Sequence, residues 1–309
     1  MEDHTASSGV SIVIPHYGDP SLSRDLIDAL QGQSTERPLQ IIVVDDHFPE
    51  PFPDIDLPGF EVIRRSVNGG FGTAVNTGAK VAHHPLLLIL NSDLTIGPDF
   101  VDDLCSGADP WMPAIVSPTV VDHHGASQYT GRRFPTIAGS AIASLVPLAR
   151  WRNGVRWHRA VGHEIPDPSS DAMICDWFVG AVILMPTEEF HRLGGFDERF
   201  YMNSEEVDLQ RRAREFNLPS VVLSRVTVEH VGGGSSDDAK RFLWLMQGEW
   251  RYRMKWNGSA GARSFQATLL GTCVINLIWN SARALLGRHT HPIRTFRDSV
   301  GSVLRASIH

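Results

Sequence analysis

Short apolar runs alternate with longer amphipathic stretches through the first third of the chain. Each run is nearly continuous in Val, Ile and Leu, which is typical of strands covered on both faces in a parallel sheet. Strands are predicted at residues 10–14, 40–44, 60–64 and 86–90, and helices at 22–30 and 72–82. The pattern predicts an open α/β sheet whose ligands bind beyond the carboxyl ends of its strands.

The pattern changes beyond residue 121. Residues 122–171 have no clear period and are rich in His, Gly, Arg, Trp and Pro, so we expect an insertion or a long mobile loop over the site. The elements expected after it are a strand at 178–185, a helix at 188–193 that two glycines end, a helix from about Ser204 and a strand at 221–228.

The composition is that of an ordinary globular protein, with 42% hydrophobic and 20% charged residues. Three cysteines, Cys105, Cys175 and Cys273, are far apart and show no CxxC spacing, so neither a disulfide framework nor a zinc site is indicated. A reducing cytoplasm fits this cysteine usage best. Residues 1–9 are polar and have no apolar stretch behind a basic start, so we expect a flexible N-terminus and not a signal peptide.

The formal net charge of −7 argues against general nucleic-acid binding, but the charge is unevenly distributed. From Arg241 onward the chain has ten Lys or Arg residues and two acidic ones, against 18 basic and 33 acidic residues before it. The basic C-terminal segment predicts that an anionic group lies near it.

Polar residues follow the predicted strands at the edge where ligands bind. Pro15 and Tyr17 end the first strand, where the aromatic ring can stack on a base; the alternative is an ordinary turn. Asp46 follows the second strand, where its carboxylate can accept hydrogen bonds from a ribose hydroxyl or a pyrimidine imide, or can cap a helix. Asp93, preceded by Ser92, follows the fourth strand and is a candidate ligand for Mg²⁺ or Mn²⁺, or alternatively a turn residue.

A glycine-rich turn, NGGFGTAVN at residues 68–76, opens the second predicted helix. Backbone N–H groups at such a helix start are suited to binding phosphate. The turn lacks GKS or GKT and the GxGxxG spacing, so an ATPase or a dinucleotide-binding domain loses its main support.

These motifs occur together in one known family. Over roughly residues 10–256 the chain resembles the inverting family 2 glycosyltransferases, which have the GT-A fold. The motifs of the first half are IPHY (14–17), VDD (44–46), the glycine turn (68–76) and NSD (91–93). Those of the second half are CDWFVGA (175–181), GGFDERF (194–200), EEVDL (205–209) and His230. Their joint order makes the resemblance specific.

The resemblance implies a nucleotide-diphosphate sugar donor, a divalent metal (Mg²⁺ or Mn²⁺) held by Asp93 and His230, and a general base in the Glu205-Glu206 pair. By position in the motif Glu206 is the base, and Glu205 holds the acceptor or the surrounding loop. The donor-binding residues that it implies are Pro15, Tyr17, Asp46, Asn68, Gly70, Asn76, Ser92 and Asp93. The acceptor-binding residues that it implies are Asp176, Trp177 and Gly180.

Two departures from the family pattern affect these roles. Family members often have Asp-x-Asp where this chain has Asn91-Ser92-Asp93, which leaves one carboxylate for the metal. The common Glu-Asp pair is Glu205-Glu206 here, so the expected base is longer by one methylene. For Asp176 and Trp177, a capped aspartate and a buried tryptophan are nearly as good an interpretation as acceptor binding.

His230 has two readings. A lone histidine after a strand is more often structural than a ligand. The glycine-rich loop that follows it, at residues 231–235, favours a ligand that must meet a bound diphosphate.

The resemblance also implies the domain layout. A GT-A domain, with an open, mostly parallel Rossmann-like sheet flanked by helices, is expected over residues 10–258. Its nucleotide-binding half is expected at 10–121 and its acceptor and catalytic half at 172–258. Residues 259–309 are expected to form a basic amphipathic helical tail.

The sequence near the start of the tail indicates how the enzyme uses its acceptor. Processive members of the family have QxxRW, and the nearest sequence here, QGEWR at 247–251, has its last two residues reversed, so we expect a non-processive enzyme.

No stretch has the ~20 apolar residues of a membrane span. In residues 264–282 a polar stripe of Thr268, Thr272, Asn276 and Asn280 opposes an apolar face. This pattern predicts an amphipathic helix that contacts an anionic membrane surface, the catalytic domain or a second copy in a homodimer.

The subgroup that the chain resembles most is that of bacterial rhamnosyltransferases of cell-wall and O-antigen assembly. The expected reaction transfers L-rhamnose from dTDP-rhamnose to a polyprenyl-diphosphate-linked or other glycan acceptor, with inversion. A galactofuranosyl or other hexosyl donor, a nucleotidyltransferase and a non-catalytic sugar-nucleotide binder stay as alternatives. The expected location is the cytoplasm, at the inner face of the cell membrane if the tail binds lipid.

Overall fold

The computed structural model describes residues 8–167, 169–230 and 238–307. Its strands are β1 (Val10–His16), β2 (Leu39–Asp45), β3 (Phe60–Arg64), β4 (Leu86–Leu90), β5 (Leu94–Thr95), β6 (Ile115–Val121), β7 (Gly131–Arg132), β8 (Ala172–Cys175), β9 (Trp177–Phe178), β10 (Val182–Pro186) and β11 (Ser220–His230). Its helices are α1 (Pro20–Gln31), α2 (Phe71–Ala79), α3 (Phe100–Ala108), α4 (Ile137–Ser144), α5 (Val155–Ala160), α6 (Thr187–Arg192), α7 (Glu205–Glu215), α8 (Asp238–Leu285) and α9 (Pro292–Arg305).

The chain divides into two compact units. The first, which we call the sheet unit, comprises residues up to 132, 166–201 and 205–235. The second, which we call the helical unit, comprises residues 133–165, 202–204 and 236–309. The sequence indicated a boundary near residue 258 instead; at that point α8 has a kink, with Gly258 at a φ of 68°.

The sheet unit is built on a mixed sheet with the strand order β3-β2-β1-β4-β10-β6-β11-β5, and β8 pairs with β11 beside it. The pairs β1–β2, β2–β3, β1–β4 and β6–β11 are parallel. The strand β10 is antiparallel to both neighbours, and β5 and β8 are antiparallel to β11. The parallel strands β1, β2 and β4 have their carboxyl ends at one edge of the sheet, where the candidate site residues follow them.

Apolar side chains of the central strands are buried on both faces of the sheet, as the continuous runs predicted. In β1, Ile12 and Ile14 join the core on one face and Val13 the core on the other. Helices α1 and α3 cover the first face, and α2, α6 and α7 cover the second. This burial explains why periodicity alone located these strands.

Local signals set the element ends. Asp19 precedes α1, and its carboxylate accepts a hydrogen bond from Ser21 N at 2.9 Å, with Pro20 as the first helical residue. Gly194 and Gly195, which follow α6, both have positive φ, at 78° and 68°, so they end that helix as predicted.

The segment predicted as an insertion or long loop is largely structured. It contains β7, α4 and α5, and a 3-10 turn at Val146–Trp151. The prediction of a loop failed because these helices are short, and their apolar and polar residues are too few to show a period.

The polar stripe of the predicted amphipathic helix faces the protein and not solvent. Thr272 and Asn280 are buried, and the Asn276 amide donates to Ser144 O and accepts from Val146 N, both at 2.8 Å. The apolar residues of this helix are divided: Leu269 and Cys273 are buried, whereas Val274 and Ile278 are exposed, with 66% of the Ile278 surface accessible. Polar residues can line a packed face when their hydrogen bonds are satisfied, which a hydrophobicity pattern does not reveal.

Among the residues that the structure describes, no helix combines the length and the apolarity that crossing a membrane requires.

His16 is buried at the end of β1 and its ring is held at both nitrogens. Nδ1 lies 2.7 Å from Ser23 Oγ, and Nε2 lies 3.0 Å from Gly18 O. A neutral ring that donates from Nε2 and accepts at Nδ1 accounts for both contacts. Burial lowers the pKa of His16, and this effect outweighs the opposing Gly18 carbonyl and the Asp45 carboxylate.

We expect acid to destabilise the protein partly through His16. Because its pKa is lower in the folded protein than in the unfolded chain, the stability it contributes is complete above about pH 6.5 and is lost as the pH falls toward the folded-state pKa. Thermal unfolding midpoints should decrease from about pH 7.5 to about pH 5.5. His16→Asn should flatten that dependence, whereas His123→Asn, at an exposed position, should not. An unchanged slope in His16→Asn would contradict this account.

Candidate active site

Two strand ends meet where the sequence predicted the metal ligands. After β4, Asn91 N donates to Ala181 O at 2.9 Å, which fixes the turn that carries Asp93. Strand β5 then pairs with β11, with His230 opposite Leu94. As a result Asp93 Oδ1 lies 3.2 Å from His230 Nε2, and both side chains are mostly buried.

Gln128 orients the His230 ring. Its Nε2 donates to His230 O at 2.8 Å, and its Oε1 lies 3.3 Å from His230 Nδ1. In the tautomer that donates Nδ1–H to Gln128, the Nε2 lone pair points at Asp93 and at Asn91 Nδ2, 3.4 Å away. Metal-binding histidines are commonly oriented by such a partner on the second ring nitrogen.

The residues present fit a divalent cation that the substrate helps to hold. Within residues 8–167, 169–230 and 238–307, no group of three or more His, Cys, Asp or Glu side chains is placed to hold a metal. Asp93 and His230 supply one carboxylate oxygen and one imidazole nitrogen side by side. Mg²⁺ and chemically similar ions often take one or two protein ligands and complete their shell with substrate phosphate oxygens and water. The pair therefore suits a metal bound together with a diphosphate. The glycine loop after His230 lies outside the described residues.

Asp46 holds the glycine turn in place. Its buried carboxylate accepts hydrogen bonds from Gly69 N at 3.0 Å and Gly70 N at 2.7 Å, and it forms an ion pair with Arg65 at 2.6 Å. These two amides are therefore directed at a carboxylate and not at a phosphate. A contact of this turn with the donor phosphates stays a prediction. A contact between Asp46 and the donor stays a prediction.

Asp45, the neighbour of Asp46, points the opposite way. It accepts from Phe48 N and Phe52 N at 3.0 and 3.1 Å and pairs with Arg64. Adjacent strand residues project to opposite faces, which explains the different partners of the two carboxylates.

Gly70 lets two loops approach closely. Its φ is 84°, and a Cβ atom at this position would overlap the carbonyl of Tyr201. The Tyr201 hydroxyl is hydrogen-bonded by Asn68, and burial, followed by Asp46 and Tyr17, raises the pKa of Tyr201. The Oδ1 atom of Asn68 is buried and has no hydrogen-bond partner among the described residues. A buried acceptor of this kind favours a ligand donor at this point.

Tyr17 lies at the rim of this cluster. Almost half of its surface is exposed, and its ring meets Phe48 edge to face at a centroid distance of 5.2 Å. Pro15 precedes it in β1, paired with Val44 of β2. The exposed ring is placed where a base can stack on it.

Asn76 and Ser92 differ from the other predicted donor-side residues. The Asn76 amide donates to Phe196 O at 2.9 Å and accepts from Phe196 N at 2.8 Å, so it joins α2 to the turn after α6. This gives Asn76 a structural role, and its contact with a donor stays a prediction. Ser92 is partly exposed between Asn91 and Asp93.

The two glutamates begin α7 and differ in exposure. Glu205 is buried, and Glu206 is partly accessible. The two residues before the helix, Asn203 and Ser204, adopt left-handed backbone angles with φ of 69° and 71°. Such angles in non-glycine residues are uncommon and cluster at functional sites.

Glu206 packs against backbone and faces a cation. A Cβ atom at Gly180 would lie 3.3 Å from Glu206 Cβ, so glycine leaves room for this side chain. Gln210 holds the first turn of α7 by donating to Phe178 O and Glu206 O, at 2.9 and 3.1 Å. Burial lowers the pKa of Arg132, and the carboxylate of Glu206 opposes that shift, so the two charges interact.

The predicted acceptor residues have protein partners. The Arg132 guanidinium lies 5.3 Å from the centre of the Trp177 ring, which is only 8% exposed. Asp176 forms an ion pair with Arg214. Asp208 pairs with Arg212 at 2.9 Å and is buried. Acceptor contacts of Asp176 and Trp177 stay predictions.

Comparison with known sequences shows which proteins the chain is similar to. The profile of Glycosyl transferase family 2 matches residues 11–148, which contain the motifs of the first half. A relative from Mycobacterium tuberculosis, N-acetylglucosaminyl-diphospho-decaprenol L-rhamnosyltransferase, is 28% identical over 284 residues, covering 82% of this chain and 90% of its own. Residues 11–148 carry the sequence pattern of glycosyltransferase family 2, and the curated relative aligned over most of the chain is a glycosyltransferase. The chain is accordingly a transferase enzyme.

Solved structures confirm the GT-A fold of the enzyme. GalNAc-T7 with UDP, GalNAc and Mn²⁺ superimposes with a TM-score of 0.55 at 13% identity, covering 84% of this chain and 52% of that chain. The mannosyltransferase PcManGT from Pyrobaculum calidifontis, in complex with GDP-Man and Mn²⁺, gives 0.53 at 14% identity, covering 98% and 87%. At such identities the likeness shows the fold alone.

Sequence reasoning missed three residues of this glycosyltransferase site. Gln128 and Arg132 lie in the aperiodic segment after β6, and no motif marked them. Tyr201 follows the GGFDERF motif directly. Only the position of Tyr201 beside a family motif offered a signal, because the other two act through contacts with residues far away in sequence.

We expect Gly70→Ala to destabilise the enzyme by on the order of 2 kcal/mol or more, because Ala strains a φ of 84° and its Cβ overlaps the Tyr201 carbonyl. Urea unfolding followed by fluorescence measures the change. Gly97→Ala is the control, since a Cβ there meets nothing within 4 Å. Equal unfolding free energies for the two variants would contradict the tight approach of the two loops.

Proposed function

We propose that this enzyme transfers L-rhamnose from dTDP-L-rhamnose to a glycan linked to polyprenyl diphosphate, with inversion at the anomeric carbon. The observation that carries the proposal is the Asp93–His230 pair at the sheet edge, on the same unit as Glu206. The choice of rhamnose and of a lipid-linked acceptor rests on the mycobacterial relative, whose name specifies both.

On the donor side, Asp93 and His230 would hold the divalent metal, with Gln128 keeping His230 Nε2 directed at it. A bound metal would neutralise charge on the departing diphosphate. Tyr17 would stack on the base, and Asn68 would accept a hydrogen bond from the nucleoside at its buried Oδ1. Asp46 contributes by fixing the turn that carries Asn68 and Gly70.

On the acceptor side, Glu206 would remove the proton from the attacking hydroxyl. It is the more accessible of the two glutamates, and Gly180 gives its side chain room. The guanidinium of Arg132 would hold Glu206 as the carboxylate, the form that a general base requires. Direct displacement at the anomeric carbon by that hydroxyl inverts the configuration.

Exposed apolar side chains of the helical unit support the proposal that the enzyme contacts a membrane surface. Leu285, Leu286 and Ile293 expose 90%, 81% and 77% of their surfaces near Arg288 and Arg294 in sequence. Exposed apolar side chains interspersed with arginines favour an anionic bilayer surface. Such a contact would place the enzyme beside a lipid-linked acceptor.

Product analysis tests the reaction class and the donor together. The enzyme with Mn²⁺ would be incubated with dTDP-rhamnose, UDP-galactofuranose and other nucleotide hexoses, with a polyprenyl-diphosphate GlcNAc acceptor. We expect dTDP and a rhamnosylated acceptor from the first donor alone. Transfer from another donor would mean that the sugar transferred is not rhamnose. Release of pyrophosphate would indicate a nucleotidyltransferase, and absence of any product with every donor would contradict an active transferase.

We expect Glu206→Gln to lower kcat by about 10² or more, because the amide keeps the shape and loses the proton acceptor. The binding of dTDP should be nearly unchanged. Glu205→Gln is the matched variant and should mainly raise the KM of the acceptor. If Glu205→Gln lowers kcat and Glu206→Gln raises the acceptor KM instead, Glu205 is the base. If both variants keep a near-parental kcat, neither glutamate is the general base.

A further inference from the structure

The helical unit contains an apolar cavity that the reaction described so far does not use. Its volume is about 190 Å³. Apolar side chains that line it include Phe242, Met246, Leu269, Phe296 and Val303. All of the lining residues belong to the helical unit, on α4, the turn after it, α8 and α9.

We propose that this cavity binds the first isoprene units of the lipid-linked acceptor, so that the helical unit is a lipid-binding site. The inference rests on the proposed function, which supplies the isoprenoid acceptor. It goes further by assigning that chain to a place in the fold.

The cavity is suited to hydrocarbon because three of its polar side chains already have hydrogen-bond partners in the protein. The Ser144 hydroxyl donates to Ser140 O at 2.8 Å. Asn276 donates to Ser144 O and accepts from Val146 N, and Thr272 Oγ1 donates to Leu269 O, each at 2.8 Å. A sugar or a nucleotide needs several hydrogen-bonding groups from its site. The remaining lining is mainly aliphatic and aromatic, so an apolar chain is the ligand with the lowest desolvation cost.

The size and the opening of the cavity fit one end of a long chain. An apolar cavity of roughly 150 Å³ takes a benzene-sized hydrocarbon, so this one holds about one or two isoprene units. Phe242 and Thr295, two of the lining residues, are exposed, which means that the cavity reaches the surface. The rest of a longer chain can therefore continue outside.

Exposed arginines next to lining residues in the sequence match the charge of the headgroup of such a lipid. Arg294 and Arg297 flank the lining residues Thr295 and Phe296 on α9, and both arginines are exposed. The ion pair of Arg294 with Asp298 is loose, at 3.9 Å. A polyprenyl diphosphate combines a branched apolar chain with a dianionic or more highly charged headgroup, and arginine is well suited to phosphate.

Calorimetry on the full-length enzyme tests the proposal with farnesyl diphosphate as the probe. Chelator and excess dTDP would be present, so that the diphosphate cannot bind through the donor site. We expect saturable binding of farnesyl diphosphate at least tenfold tighter than that of inorganic diphosphate or of hexadecyl phosphate, which has a linear chain. If inorganic diphosphate binds as tightly as farnesyl diphosphate, the cavity does not contribute to binding and the proposal is wrong. If hexadecyl phosphate binds as tightly, the site does not select an isoprenoid chain and that part of the proposal is wrong.

A cavity-filling variant locates the site. Ser299→Leu adds volume to the lining and should weaken farnesyl diphosphate binding at least tenfold, whereas Ser264→Leu, at an exposed position of α8 outside the lining, should not. Equal affinity in parent and Ser299→Leu would overturn the proposal. Photo-crosslinking of the unmodified enzyme with a benzophenone-bearing isoprenoid diphosphate covers the case in which the variant does not fold. Labelled peptides should contain residues 144–146 or come from residues 242–303, and labelling confined to the sheet unit would contradict the assignment.

The outcomes separate this inference from the proposed function. If rhamnose is transferred to the lipid-linked acceptor but farnesyl diphosphate does not bind under these conditions, the function stands and the cavity assignment fails. If farnesyl diphosphate binds in the cavity and no sugar is transferred from any donor, the function fails and the lipid site stands.

Discussion

The pairing of β11 with the two-residue strand β5 is the contact on which the candidate site depends. It aligns His230 with Leu94, and so places the imidazole beside the carboxylate that follows β4. Asp93 and His230 are far apart in the sequence, and no shared helix, strand or turn joins them. Gln128 then fixes the ring from the other side. A site with one carboxylate depends on such orientation, because among the residues that the structure describes no further acidic side chain joins Asp93 and His230.

The acidic residues at the strand ends carry out separate tasks because their surroundings differ. Asp46 is buried against Arg65 and two amides, so its charge stabilises a turn. Asp93 lies beside a histidine with its side chain partly accessible, an arrangement suited to a cation. Glu206 faces Arg132 at the start of a helix. The same chemical group thus serves as a structural anchor, a proposed metal ligand and a proposed base.

Much of the fold could be predicted from the sequence, and the reason is physical. Strand β4 begins and ends where its apolar run does, because a strand buried on both faces must be apolar throughout. The order of the family motifs likewise predicted that Asp93 and His230 lie together, and their side chains are 3.2 Å apart; the roles of these two residues and of Glu206 stay predictions. Tertiary contacts decided the rest. Gln128 and Arg132 gain their roles from distant partners, and the stripe around Asn276 faces inward because helix α4 and the following turn satisfy its amide.

The central claim is that Asp93 and His230 together hold the metal that binds the donor diphosphate. A crystal structure of the enzyme with dTDP and Mn²⁺, with the anomalous signal of manganese recorded, tests it most directly. The account predicts one manganese peak within about 2.3 Å of an Asp93 carboxylate oxygen and of His230 Nε2, with diphosphate oxygens completing its shell. Manganese bound to the diphosphate without either side chain, or dTDP bound away from this sheet edge, would contradict it.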